Sequence, residues 1–183
     1  GFGEEELFPS YYHYEVFLAF DNKIKYVELS NYEVSNQKNA CVAPFAQTDV
    51  SNTVVRGIDQ KLRDTINKSL LLAFDGFRNN IIDVLSQADA PNTLLDALRN
   101  IEISNQTSSF ISFLNDYIQN NYVDKLLNTV AFLSKEDLAD MAESLVRMTC
   151  LKRHITTDEE SVGGPVDVAV ITRGDGFIWI KRK

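Results

Sequence analysis

Val166-Asp-Val-Ala-Val-Ile-Thr-Arg-Gly-Asp-Gly-Phe-Ile-Trp-Ile180 sets two β-branched and aromatic runs on either side of a Gly-Asp-Gly turn. Residues of that type pack well on a pleated surface, and the glycines admit the positive φ a tight connection needs, so the stretch predicts a hairpin. Ahead of it, Ser134-Lys-Glu-Asp137 has the form of a capping box. The serine oxygen accepts from a free backbone N–H, and the carboxylates favour the helix N-terminus. The helix this opens carries Leu138, Met141, Leu145, Val146 and Met148, read as one apolar face with the methionines as core filler. A capped helix followed by a strand pair is the clearest unit in the chain.

Working backward, Asp59 precedes the helical spacing Leu62, Ile66, Leu70, Phe74, Phe77, Ile81 and Leu85, read as one long helix or two broken near Gly76. Ser86 to Asn92, with Pro91, is read as a linker. Helical periodicity resumes from about Ser108 and continues, across a turn at Asn120-Asn121, to Val130. Thr48 and Asp49 are N-cap residues for a short helix ending near Gly57. Nearer the start, Tyr14 to Phe20 and Ile24 to Leu29 flank Asp21-Asn-Lys23 and predict a second hairpin. Ala40-Cys-Val-Ala43 reads as a third, buried strand. Helices collected between two sets of strands predict an α+β domain with antiparallel sheets and packed helices.

The chain has 183 residues, 44% hydrophobic and 24% charged, which suits one globular domain. A net charge of −8 argues against a nucleic-acid binder, which would show a basic face; a local basic strip could survive that balance, but its one obvious candidate, Lys181-Arg-Lys183, reads as a solvated tail. Cys41, Cys150, His13 and His154 lack metal-ligand spacing, so neither a metal nor another cofactor is expected. No apolar run approaches the roughly 18 residues that span a bilayer, and no signal-peptide pattern is visible. The expectation is a cytoplasmic chain that partners neither membrane nor nucleic acid. Phosphate-loop and GxSxG patterns are absent. The start at Gly1-Phe-Gly3 reads as the end of a strand, hence as a fragment or a processed product lacking its first strands.

The stretch from Ser134 to Ile180 resembles the end of a proteasome β-subunit or of its bacterial relative, the HslV peptidase. In those proteins a helix leads through an Asp-x-x-Ser-Gly-Gly loop into strand, turn and strand. Here the loop reads Asp158-Glu-Glu-Ser161-Val-Gly163-Gly164, with Val162 inserted. Gly1-Phe-Gly3, the first hairpin and Ala40 to Ala43 resemble earlier strands of the same fold. Residues 59–132 stand where a helical insertion would lie.

The resemblance implies a single layered αββα domain of N-terminal-nucleophile type, acting on peptide or amide bonds in homo-oligomeric assemblies. A threonine at a mature N-terminus attacks the carbonyl and its own α-amine is the base, workable because that amine titrates near pH 8. Gly1 has no side chain to fill that role. Only supporting roles carry over, to Asp158 and Ser161; without the resemblance these two read as a polar helix-to-strand loop. The rival expectation is a non-catalytic assembly or protein-interaction subunit of the same fold.

Overall fold

A computed structural model describes residues 1–3, 5–18, 24–45, 47–156 and 163–182. The fold is α+β. In chain order the elements are β1 (Ser10–Leu18), β2 (Ile24–Glu33), α1 (Asp49–Arg56), α2 (Gln60–Gln87), α3 (Asn92–Arg99), α4 (Ile103–Ile118), a π-helical turn (Gln119–Val123), α5 (Asp124–Val130), α6 (Lys135–Ile155), β3 (Val168–Thr172) and β4 (Gly176–Lys181). They divide into two compact units: Gly1–Ser51 with Asp124–Lys183, and Asn52–Val123.

Among the described residues the first unit holds two separate antiparallel sheets of two strands each, β1 with β2 and β3 with β4. The second hairpin has the turn its sequence predicts. Thr172 Oγ1 accepts from the Asp175 N–H at 2.9 Å and donates to the Asp175 carboxylate at 3.1 Å, and Gly176 takes φ +69°. Helix α6 begins where Ser134 predicts, the serine oxygen accepting from the Asp137 N–H at 3.1 Å. β3 lies on α6, and Val168 is buried there.

The first hairpin is also present and longer than expected, with a register shift between His13 and Tyr14. No third strand forms at Ala40–Ala43 among the described residues. After a turn in which Ser35 N–H donates to Lys38 O at 2.9 Å, the Ala40 carbonyl accepts from Tyr32 Oη at 2.7 Å. A side chain thus takes the bond a strand would have used. Pro44 then lacks the N–H needed to extend a ladder.

The second unit is helical. α2 runs unbroken for 28 residues, started by Asp59, whose carboxylate accepts from Leu62 N–H at 3.0 Å. Gly76 does not break it, because the helical bonding on either side outweighs the roughly 1 kcal/mol propensity cost of one glycine. α3 is an element the periodicity did not reveal. It follows Pro91, is only eight residues long, and buries Leu95. α4 starts at Ile103, earlier than Ser108, and Asn120-Asn121 lie in a π-helical turn in place of a break. Arg63 donates to Asn115 Oδ1 between α2 and α4.

Two glycines of this unit have opposite roles. At Gly57, φ is +69° and an added Cβ would stand 2.4 Å from the Tyr122 ring, whereas Gly76 faces open space within a helix. Gly57→Ala is expected to destabilise the unit by more than about 1 kcal/mol, and Gly76→Ala to stabilise it by about 0.5–1 kcal/mol. Urea unfolding of the two variants checks both signs.

Candidate functional site

A concavity of about 510 Å³ lies within the first unit, between residues 41–45 and one flank of α6. Its walls come from Val42, Phe45, Val130, Leu138, Met141 and Val146. This is the face that the α6 periodicity marks as core. In the structure Leu138 and Val146 are about 40% exposed and Met141 lines the groove, so that face is only half covered. Met148 is exposed as well, so neither methionine is core filler. Of that face Leu145 is buried, and the other buried positions of α6 are Ala139, Glu143 and Thr149.

Polar groups on the groove are few: Cys41, Gln47, Ser51 and Thr149. Burial pushes the Cys41 thiol up, which favours the protonated and unreactive form. Thr149 Oγ1 donates to Leu145 O at 2.9 Å, so its hydroxyl proton is engaged within the helix. Both cysteines are free and half-buried. The groove's chemistry is therefore apolar burial, suited to holding an apolar group rather than to moving protons.

Two ionic clusters brace its walls. Asp49, first residue of α1, accepts from Lys152 Nζ at 2.9 Å and from Arg153 at 3.2 Å, both in the last turn of α6. Arg153 also donates to Gln47 Oε1. The hydrogen bond from Lys152, with the charge of both cations, holds the Asp49 carboxyl below its usual range. On the other side of α6 the buried Glu143 accepts from Lys181 of β4 and from Arg147 Nε at 2.8 Å, and Lys181 also reaches Asp140 at 2.9 Å. The Lys181 bond, then that of Arg147, lowers the Glu143 carboxyl; bonds to Glu143 and Asp140 raise Lys181. Sequence reading missed both clusters, and only Glu143–Arg147, at i,i+4 spacing, left a local signal.

Asp158 and Ser161 lie outside the described residues. The described residues resume at Gly163, and Gly164 takes φ +92°. There it passes α6, where Gly164, Pro165 and Val166 share a small concavity with Arg147 and Cys150. His13 is packed edge-on to Phe45 at 4.9 Å, and His154 is exposed in the last turn of α6. Among the described residues no three His, Cys, Asp or Glu side chains converge as a metal cage, and no helix is long and apolar enough to cross a membrane. Comparison with protein-family models, with curated proteins and with solved structures found no match.

The ionic clusters set a pH dependence. Asp49 and Glu143 titrate lower in the folded chain than in the unfolded one. Their stabilisation is complete above the unfolded value of about 4 and is lost as pH falls through the depressed folded values. Lys181 is raised, so its contribution is complete below the unfolded value of about 10.4 and is lost as pH rises through the folded value. Thermal melts across this range are expected to show Tm falling at both ends, with Glu143→Gln flattening the acid limb and Lys181→Met the alkaline one. An acid limb unchanged by Glu143→Gln would remove Glu143 from the account.

Proposed function

We propose that the chain forms part of a proteasome-like N-terminal-nucleophile hydrolase domain, cleaving peptide or amide bonds with a nucleophile that this chain does not contain. The supporting observation is the order of elements at its C-terminal end. A capped helix, α6, leads through the connection bearing Asp158 and Ser161 into β3, a Gly-bounded turn and β4. Asp158 and Ser161 are assigned supporting roles, positioning the N-terminal group. The layered αββα arrangement, homo-oligomeric assembly and a cytoplasmic setting belong to the same proposal. The two free cysteines are consistent with a reducing compartment.

A second reading, the non-catalytic assembly or interaction subunit, is favoured by how little is covered. The described residues bury nine apolar side chains, none of them completely.

The test is fluorogenic-peptide hydrolysis by the protein expressed from its complete native gene, with intact mass and N-terminal sequencing of the same sample. The hydrolase reading expects a mature N-terminal Thr, Ser or Cys. It also expects turnover reduced about 100-fold by Asp158→Asn or Ser161→Ala through misplacement of the nucleophile, and no turnover by residues 1–183 alone. A product without such a terminus, inert toward peptides but oligomeric, selects the assembly subunit.

A further inference from the structure

The outer edge of β1 already carries one rung of a third strand. The Gly1 α-ammonium, standing where a backbone amide would in a longer chain, donates to Ser10 O at 2.8 Å, and Ser10 N–H donates to Gly1 O at 2.8 Å. That two-way exchange is the hydrogen-bonded pair of an antiparallel ladder. On its other side, Pro9 O accepts from Val34 N–H at 3.2 Å, so the backbone groups facing away from β2 are those of Ser10.

A clamp holds the rung in place. The Glu6 carboxylate accepts from Gly3 N–H at 2.9 Å and from Ser10 Oγ at 3.1 Å, while Glu6 N–H donates to Gly3 O at 3.2 Å. The residues between Gly1 and Ser10 thus close a loop that lays Gly1 antiparallel to β1.

Beyond Ser10 the edge is open. The sheet has two strands among the described residues, so the outward backbone groups of Tyr12, Tyr14 and Val16 face no neighbouring strand. The register shift places its extra residue, Leu29, in β2, which leaves the alternation of β1 uninterrupted. Along the same stretch runs an uncovered apolar face: Tyr12 and Tyr14 stacked at 6.1 Å, Tyr14 edge-on to Tyr26 at 5.3 Å, and Val16 beyond them. A two-stranded hairpin is marginal in water without a third strand or a packed helix. An open aromatic edge also invites pairing with other chains.

We propose that the outer edge of β1 is a strand acceptor. It takes an extended strand with alternating apolar residues, antiparallel to β1 and leading into Gly1, which pairs in turn with Tyr12, Tyr14 and Val16. A strand matching the nine residues of β1 has about eight residues ahead of Gly1. The proposal shares with the hydrolase reading a strand ahead of Gly1, but it is tested on backbone pairing and not on hydrolysis, so the two can fail separately.

The test is hydrogen exchange, resolved by residue, on the chain extended at Gly1 by four Val-Thr repeats, which set Val opposite Tyr12, Tyr14 and Val16. A Pro-Thr extension of equal length, unable to donate at those same positions, is the control. With Val-Thr the amides of Tyr12, Tyr14 and Val16 are expected to exchange about tenfold more slowly or better, independently of protein concentration. Glu6→Gln, which weakens the clamp, should reduce that protection while leaving the β3–β4 amides unchanged. Equal protection by the two extensions would overturn the proposal, as would protection by a free Val-Thr peptide but not by the linked one.

Discussion

A pair of antiparallel strands presents two faces and two edges, and in water it holds together only when something covers them. The two hairpins of the first unit meet that constraint differently. β3–β4 lies on α6, buries Val168, and is fastened by Lys181 of β4 reaching Asp140 and the buried Glu143. Lys135, at the start of α6, stands 3.8 Å from Asp175 in the turn, a longer and weaker contact. β1–β2 has no helix on it among the stronger element contacts. Its cover is the 40–45 segment, through Phe45 against Tyr11 and His13 and the Tyr32 bond to Ala40. One hairpin is finished within the described residues and the other is not.

The elements legible in the sequence are those whose signal is local. Ser134 and Asp59 make their cap bonds three residues away, and the Gly-Asp-Gly turn closes on itself through Thr172 and Asp175, so each needs nothing from the rest of the chain. The readings that failed depended on what lay opposite. Ala40–Ala43 has the composition of a buried strand, but a strand needs a partner ladder, and Tyr32 claims the carbonyl instead. Helix α3 was too short for periodicity to show, although Pro91 before Asn92 is a helix-start signal that could have exposed it. Gly76 and Asn120-Asn121 look like breaks when propensity is read residue by residue. In the structure α2 passes straight through the first, and a π-helical turn takes up the second.

The candidate site was less legible for a related reason. Lys152 meets Asp49 across 103 residues and Lys181 meets Glu143 across 38. With 18 basic and 26 acidic side chains, composition does not say which pairs form. The apolar stripe on α6 was legible, but the sequence does not say whether a stripe is covered. Leu138, Met141 and Val146 were expected in a core and line a groove. Asp158 and Ser161 carry the resemblance to N-terminal-nucleophile hydrolases, and the residues flanking them place the strand entry beside Arg147 and Cys150 of α6.

The two functional readings make opposite demands on this architecture. A hydrolase needs a nucleophile, a base near neutrality and donors aimed at an oxyanion, all held within tenths of an ångström. An assembly subunit needs apolar surface that a partner removes from water. The groove meets the second demand, its thiol being kept protonated by burial and its Thr149 hydroxyl committed to the helix backbone. The first demand falls on residues outside the groove, and above all on whatever would align the nucleophile. In either case the β1 edge comes first physically. Until that hairpin is covered it is a marginal element next to Phe45, which forms part of the groove wall. On the strand-acceptor proposal, completing the sheet would steady the groove wall at Phe45 under either reading.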